Sequence, residues 1–226
     1  MHDSWASYGA AAGAGAVILF VIGAALAGTE PDFNAPAGEV VSYFQDDRTR
    51  IQVGCAFFAA AMPFFVWFLA TVSSLAREGG AGAGRAGAVA YGCGLLVAAL
   101  FLADVTALAV GALRPDNMAD SPEVAVALLD FSFLAMGMAA FVVAGMFAAF
   151  AVVVLRHAAV WPNWLGWMAA LAAVLYSLRL GTLFTTDGPF ASDGVLGLYV
   201  PVAAWATWIF LASVMLARDL RSTDGG

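Results

Sequence analysis

Three ionisable residues, Asp104, Asp130 and Arg179, lie inside long apolar stretches of this 226-residue chain. A charged side chain in hydrocarbon is costly, so residues of this kind usually face a protein interior and often serve binding or proton transfer. Counted from the ends of their stretches, the three lie at a similar depth. We therefore expect Arg179 to face Asp104, Asp130 or both, because the opposite charges then avoid lipid together.

The charges of these residues limit the chemistry open to them. Two carboxylates and one guanidinium leave one negative charge in excess, so the site could hold a proton on one aspartate or bind a cationic group. It could also recruit Arg48 or Arg50 from the outer end of the second apolar stretch. A purely structural pairing of the charges is the alternative. Further polar residues are predicted to line the site: Gln52, Ser132, Tyr176, Thr182 and Tyr199.

Arg179 belongs to a stripe of polar residues in an otherwise apolar stretch. Tyr176, Arg179, Thr182 and Thr186 recur at spacings of three to four residues. Residues at this spacing share one face of a helix, so the stripe favours a face that is turned toward the protein. An arginine on the lipid face would instead have to extend its side chain to the membrane surface.

The elements that must position these residues are transmembrane helices. Hydrophobic residues make up 63% of the chain and charged residues 11%, a composition unlike that of soluble domains. Crossing the hydrocarbon takes about 20 apolar residues, and the backbone there must satisfy its own hydrogen bonds. We predict one all-α domain, a transmembrane bundle whose six helices cover residues 8–28, 51–76, 86–113, 124–155, 164–184 and 195–217. The first is expected to be retained, because no lysine or arginine precedes it as in a signal peptide.

The distribution of arginine predicts the orientation of the bundle. One side of the predicted membrane carries five arginines and few acids, and the other carries three arginines and most of the acidic residues. The five are Arg77, Arg85, Arg156, Arg218 and Arg221. Since positive residues favour the cytoplasmic side, we expect both termini in the cytoplasm and the protein in the plasma membrane.

The first outer loop, residues 29–50, is predicted to cover the bundle and is called the lid below. Val40, Tyr43 and Phe44 occur at positions i, i+3 and i+4, which predicts a short amphipathic helix with these side chains on the bundle. The fourth apolar stretch, 124–155, would form a helix about 48 Å long, more than a bilayer requires. It is expected to tilt or to project beneath the lid, which leaves Asp130 either inside the membrane or at its surface.

The sequence excludes several kinds of cofactor chemistry. It contains no lysine, so a Schiff base is excluded. His2 and His157 lie in a terminal tail and at a helix end, which offers no pair of haem ligands, and neither is assigned a role. Cys55 and Cys93 are expected roughly 10–15 Å apart along the membrane normal, too far for a disulfide. We predict no metal, no cofactor and, without a basic surface, no nucleic-acid partner.

Small residues spaced four apart predict close contacts between helices. The pairs are Gly9 and Gly13, Ala88 and Gly92, Ala90 and Gly94, and Gly166 and Ala170. Such faces could pack inside the bundle or join this chain to another copy or subunit.

A second pattern involves tryptophan: Trp161, Trp164 and Trp167 predict a cytoplasmic aromatic belt. Trp205 and Trp208 lie deeper and are expected in the core or beside a cavity.

Four segments carry a resemblance to a known group of proteins. They are Pro31 through Tyr43-Phe44 to Arg48, Phe65-Val66-Trp67-Phe68-Leu69, Leu128-Leu129-Asp130, and Trp161-Pro162-Asn163-Trp164-Leu165-Gly166-Trp167. On these motifs the chain resembles a widespread family of six-helix integral membrane proteins of high-GC actinobacteria, a domain of unknown function. The resemblance covers nearly the whole chain. It implies the fold and a membrane location, and it implies no particular activity.

Three classes of function fit the sequence. A binding protein or carrier for a small amphipathic solute would use the excess carboxylate to couple solute to proton. An intramembrane enzyme, such as a cyclase or isomerase, would use Asp104 or Asp130 as the general acid on a lipid or isoprenoid. An accessory subunit would use the charges only to hold helices together. The bilayer, and a small amphipathic or lipid ligand, are the partners that the sequence predicts.

Overall fold

A computed structural model of the protein describes residues 2–157, 161–186, 188–192 and 194–223. Asp187, Asp193 and the side chains of His2 and His157 lie outside this description. The described chain is helical throughout, with short connections and no strands. Its helices are α1 (His2–Ala27), α2 (Ala37–Asp46), α3 (Arg48–Glu78), α4 (Ala81–Leu113), α5 (Pro115–Asp120), α6 (Pro122–His157), α7 (Asn163–Leu178), a 3-10 turn (Arg179–Leu183), a π-helical turn (Val195–Tyr199) and α8 (Val200–Thr223).

Six of these helices are long and apolar enough to cross a membrane, which confirms the predicted six-helix bundle. The spans are Ser7–Ala27, Arg48–Glu78, Ala81–Leu113, Pro122–Arg156, Asn163–Leu183 and Val195–Asp219. α3 begins at Arg48, inside the segment assigned to the lid. α5 lies in a segment for which no helix was predicted, and its first residue is Pro115, a position that suits proline because the amide has no helical partner there.

The six spans form a closed ring. Each packs on the spans before and after it in the chain, and α8 packs on α1 to complete the circuit. We call the side that carries α2 and α5 the lid side. α1, α4 and α7 run toward the lid side, and α3, α6 and α8 run away from it. A ring of this kind has an interior toward which every helix turns one face.

The outer surface of the ring is apolar. Its exposed side chains include Phe141 at 62%, Trp167 at 67% and Leu171 at 60% of their possible exposure. Large apolar side chains exposed in this number mark a surface that is covered in the native state. Together with the length of the helices, it describes a membrane protein whose outside faces lipid.

Glycine allows the neighbouring spans to approach closely. A Cβ atom at Gly54 of α3 would lie 2.6 Å from the Cβ of Ala27 in α1, and one at Gly23 would lie 3.1 Å from the carbonyl oxygen of Gly54. Of the predicted small pairs, Gly94 packs on Leu69 of α3 inside the bundle. Ala88 is exposed, and no atom lies within 4 Å of a Cβ at Gly92. Only part of the small-residue pattern therefore serves contacts within this chain.

The lid contains the predicted amphipathic helix, α2, and rests on α4 and α6. Val40, Tyr43 and Phe44 are buried as predicted. Phe44 is fully enclosed, and its ring lies against Gly111 of α4, where a larger residue would leave no room. Ahead of α2, Phe33 meets Phe133 of α6 edge to face, with 5.9 Å between ring centroids. The long α6 thus continues beneath the lid.

Two tryptophans are hydrogen-bonded inside the bundle at the opposite side. Trp161 was predicted to lie in a cytoplasmic aromatic belt, but it is buried and its indole Nε1 donates to the carbonyl oxygen of Ala212 at 3.1 Å. Trp208 donates to the carbonyl oxygen of Leu165 at 2.9 Å and stacks on Phe150. The indole of Trp161 turns inward because α8 offers it a partner, so only Trp164 and Trp167 of the predicted belt face outward.

Because Phe44 packs the lid against α4, Phe44→Ala should destabilise the protein. Replacement of a buried phenylalanine by alanine costs about 3–5 kcal/mol, since contacts are lost and a cavity is left. We expect a clear fall in the thermal melting temperature and faster proteolysis within residues 29–47. Phe184→Ala, at a side chain that is 88% exposed, is the matched control. Equal effects of the two variants would show that the lid is not held by Phe44.

Candidate functional site

A cavity of about 40 Å³ lies at the centre of the ring. All six spans contribute to its wall, which is almost entirely apolar. The lining side chains are Phe20, Met62, Phe65, Val97, Phe101, Met136, Val143, Tyr176, Val202 and Trp205. Five of these ten are aromatic, and Phe20 contacts both Phe101 and Trp205. The arrangement offers a small aromatic pocket on the axis of the bundle.

Asp104 lies in the interior directly above this cavity. Its side chain is 6% exposed, so it does not face lipid. The hydroxyl of Ser132 on α6 donates a hydrogen bond to Asp104 Oδ1 and thereby joins α4 to α6. A buried carboxylate retains capacity for more than one hydrogen bond. Asp104 is therefore held in place by Ser132 at one oxygen, and its carboxylate can still accept a hydrogen bond from another donor.

Arg179 is enclosed in the same region. Its side chain is 2% exposed, and the guanidinium interacts electrostatically with Asp104 and Tyr176. No ion pair joins Arg179 to Asp104 or Asp130 within the described residues, although direct pairing was expected. Its Nε and Nη1 atoms are buried and make no hydrogen bond. A buried donor without an acceptor is costly, and most for a charged group.

The backbone helps to place Arg179. α7 ends at Leu178, and the chain tightens into the 3-10 turn that begins at Arg179. Thr182 in this turn is buried and packs on Gly137 of α6 and on Gly197 in the π-helical turn. Irregular helical turns within a span are often found at functional sites. Here they bring the end of α7 and the start of α8 over the cavity.

On each of three helices, a polar residue lies one turn away from a residue that lines the cavity. Phe101 lines the cavity and Asp104 follows it by one turn of α4. Tyr176 lines the cavity and Arg179 follows it by one turn of α7. On α6, which runs the other way, Ser132 lies one turn before Met136. One helical turn rises about 5.4 Å, so the polar residues form a layer immediately on the lid side of the aromatic pocket.

Glu30, which follows α1, adds a second acid to this layer. Burial, reinforced by the nearby carboxylate of Asp104, raises the pKa of Glu30 from 4.5 to about 7. At neutral pH its proton is therefore easily gained and lost. A carboxyl group with a pKa near the working pH is suited to proton transfer.

Tyr43 closes the layer from above. It extends from α2 of the lid, and its buried hydroxyl has no hydrogen-bond partner. Burial and the charges of Glu30, Cys55, Asp47 and Asp104 raise the pKa of Tyr43, so the hydroxyl stays protonated. We call the whole group the polar cluster, and its members are Glu30, Tyr43, Cys55, Asp104, Ser132 and Arg179.

The unsatisfied polar atoms of the interior coincide with this cluster. In the described part of the chain, three buried side-chain atoms lack a hydrogen-bond partner: Tyr43 Oη, Arg179 Nε and Arg179 Nη1. All three belong to the surroundings of Asp104, which interacts electrostatically with both residues. Native proteins rarely leave such groups unpaired, so each one calls for a partner such as an ordered water, an ion or a bound molecule. The cluster therefore has unused binding capacity.

The remaining predicted site residues lie elsewhere or serve other contacts. Asp130 is partly exposed, and no hydrogen bond or ion pair joins it to Asp104 or Arg179 among the described residues. Arg48 is exposed at the start of α3, and Tyr199 is 57% exposed. Gln52 donates from Nε2 to the carbonyl oxygen of Ala112 at 3.2 Å and so ties α3 to the end of α4. None of these four completes the polar cluster.

Sequence reasoning missed Glu30 and the inward hydroxyl of Tyr43. Glu30 is followed by a proline and an aspartate, and such a segment resembles an ordinary exposed loop. Tyr43 was expected to face the bundle, but only as an apolar contact. The available signal was their combination: an acid at the end of the first span and a tyrosine on the inner face of a helix that covers it.

The cluster provides acids, a guanidinium and a hydroxyl next to an apolar pocket. This combination can hold a proton, donate hydrogen bonds to a ligand and enclose a small apolar group.

Cys55 and Cys93 are both free thiols. Among the described residues, no three His, Cys, Asp or Glu side chains are grouped as a metal ion would require. Comparison with protein-family models, with curated proteins and with solved structures found no match.

The pKa of Glu30 predicts how stability depends on pH. The folded protein holds this proton up to about pH 7, whereas the unfolded chain loses it near 4.5. The contribution is therefore complete below about pH 4.5 and is lost as the pH rises through 7. The melting temperature should fall between pH 5 and pH 8, and Glu30→Gln should flatten that part of the profile.

The control for this experiment is Glu39→Gln, an exposed glutamate in the first turn of α2. It should keep the wild-type dependence on pH. A profile that is unchanged in Glu30→Gln would mean that Glu30 is solvated in the folded protein and does not belong to the polar cluster.

Proposed function

We propose that this protein binds a small amphipathic solute in the polar cluster and the cavity below it, and that binding is coupled to a proton on Glu30 or Asp104. The observation that carries this proposal is the concentration of unsatisfied buried polar atoms around Asp104, immediately above an aromatic pocket. A solute with one polar end and one apolar end would satisfy both regions. Transport of the same solute across the membrane would follow if the lid opens.

The geometry favours binding over a structural tie. A buried ion pair that only holds helices together gains most when its charges are in direct, well-oriented contact. Arg179 and Asp104 interact without such contact, and two nitrogens of Arg179 remain unpaired. An accessory subunit would have no use for this unpaired capacity.

The geometry also favours a small solute over a lipid. A cavity of about 40 Å³ has room for only a few atoms, because one water molecule already needs about 10–15 Å³ by this kind of measure. An isoprenoid chain would require a much larger enclosed space. The alternative of an intramembrane enzyme acting on lipid therefore has less support than the binding of a short molecule.

The expected setting is the plasma membrane, with both termini in the cytoplasm and the lid outside. Positive residues favour the cytoplasmic side, and Arg77, Arg85 and Arg156 lie on the side opposite the lid. In this orientation the polar cluster would be reached from outside the cell, beneath α2. The resemblance to six-helix membrane proteins of actinobacteria agrees with such a location.

Proton exchange on solute addition tests the proposal. The purified protein in weakly buffered detergent solution would be mixed with short-chain carboxylates, alcohols and amines, and a pH indicator would record protons taken up or released. We expect at least one solute to change the proton count near pH 7. Asp104→Asn and Glu30→Gln should each reduce that signal severalfold, because each removes an acid of the cluster.

Asp116→Asn, a change at an exposed acid on the lid side, provides the matched control and should exchange protons like the wild type. An absence of proton exchange for all solutes would contradict the proposal. Full exchange in both cluster variants would contradict it equally, since the proton would then come from another part of the chain.

A further inference from the structure

The unsatisfied groups of the polar cluster are mainly hydrogen-bond donors. Arg179 Nε and Nη1 carry N–H groups that find no acceptor, and a guanidinium can only donate. The hydroxyl of Tyr43 is also free to donate. Asp104 is the acceptor nearby, and it already accepts from Ser132. Arg179 Nε and Nη1 therefore still need an acceptor, and the acceptor that binds a guanidinium most strongly is an oxyanion.

The charges around the site favour a single negative charge on the ligand. Arg179 is the one cation that interacts with Asp104 in the described interior, while Glu30 and Asp104 supply potential negative charges. A doubly charged phosphate would meet one positive group and two acids in a poorly hydrated space, which is costly. A carboxylate carries one charge and matches the planar guanidinium.

The cavity fixes the size of the rest of the ligand. Tyr176 connects the two regions, since it lines the pocket and interacts with Arg179 one turn away. The volume of about 40 Å³ is far below the roughly 150 Å³ of an engineered cavity that holds benzene. A short aliphatic group fits this space better than an aromatic ring or a lipid chain.

We propose that the solute is a monocarboxylate with a short aliphatic chain, whose carboxylate accepts hydrogen bonds from Arg179 and whose chain enters the aromatic cavity. This inference rests on the proposed function and names the class of solute for it. No covalent step is involved. The lid, through Tyr43, covers the carboxylate end.

A bound carboxylate also determines the direction of proton coupling. It compensates the charge of Arg179, so a negative Asp104 or Glu30 beside it becomes more costly, and a protonated acid favours binding. The charged and titratable groups around Glu30 come from the lid, α3 and α4. They are Tyr43, Asp47, Arg50, Cys55 and Asp104, with Arg50 paired to Asp47 at 2.9 Å and lying against Gly28.

Equilibrium binding of radiolabelled butyrate to the full-length protein in nanodiscs tests the inference. We expect saturable binding at pH 6 that weakens at least severalfold at pH 8, with a proton taken up for each butyrate bound. Arg179→Gln should weaken butyrate binding about tenfold or more, since hydrogen bonds to charged groups are lost. Arg179→Lys should weaken it less, because the positive charge remains.

A second variant separates the apolar contact from the charge. Val97→Phe adds volume at the cavity wall and should weaken butyrate binding severalfold while acetate, which has almost no chain, is little affected. It also tests the proposal if Arg179→Gln does not fold, which thermal melting would reveal. Arg114→Gln, at an exposed arginine on the lid side, should bind butyrate like the wild type.

The outcomes distinguish this inference from the proposed function. Unchanged butyrate binding in both Arg179→Gln and Val97→Phe would overturn the inference. Proton-coupled binding of butylamine or 1-butanol, with no binding of butyrate, would also overturn it while the proposed function stands. Inorganic phosphate that displaces butyrate at equal concentration would show a general anion site and would contradict the assignment to a monocarboxylate. If no solute bound and none changed the proton count, both the inference and the proposed function would be contradicted.

Discussion

Burying the guanidinium of Arg179 inside a membrane bundle costs free energy that the surrounding groups must offset. Asp104 supplies the opposite charge without direct contact, and two of the nitrogens remain unpaired. These unpaired nitrogens are the reason for assigning a binding role to the polar cluster. Several features of the lid side serve to keep the charge in the interior. The change from α-helix to 3-10 turn occurs at Arg179, Thr182 fixes that turn against Gly137 and Gly197, and Tyr43 covers the layer from the lid.

The ring of six helices gives this polar layer a fixed position relative to the cavity. Because each span contributes to the cavity wall, a small rotation of any helix would change both the pocket and the residue one turn above it. The lid is joined to three parts of the ring: Phe44 at Gly111, Phe33 at Phe133, and Asn34, whose Nδ2 donates to the carbonyl oxygen of Thr186 at 3.0 Å. A lid fastened at separate points can open only if these contacts break together, which suits a site that is normally closed.

The sequence predicted the number of helices because length and composition alone determine which segments can cross a bilayer. It also predicted that Asp104 and Arg179 face the interior, since the cost of a charge in lipid leaves few alternatives. It could not predict which way Asp130 turns, because α6 is apolar on all sides and no polar face indicates its rotation. Glu30 was missed for a different reason. Its burial depends on the lid folding back over α4, a contact between segments about 70 residues apart in the chain, such as Phe44 and Gly111.

An experimental density map of the protein in lipid nanodiscs, at a resolution that shows side chains and ordered small molecules, tests the central claim most directly. The account predicts that the guanidinium of Arg179 points into the bundle between α4, α6 and α7, apart from the Asp104 carboxylate, with non-protein density against its Nε and Nη1 atoms. A guanidinium directed into the acyl chains would contradict it. A dry, direct Arg179–Asp104 pair with no space for another group would contradict it as well.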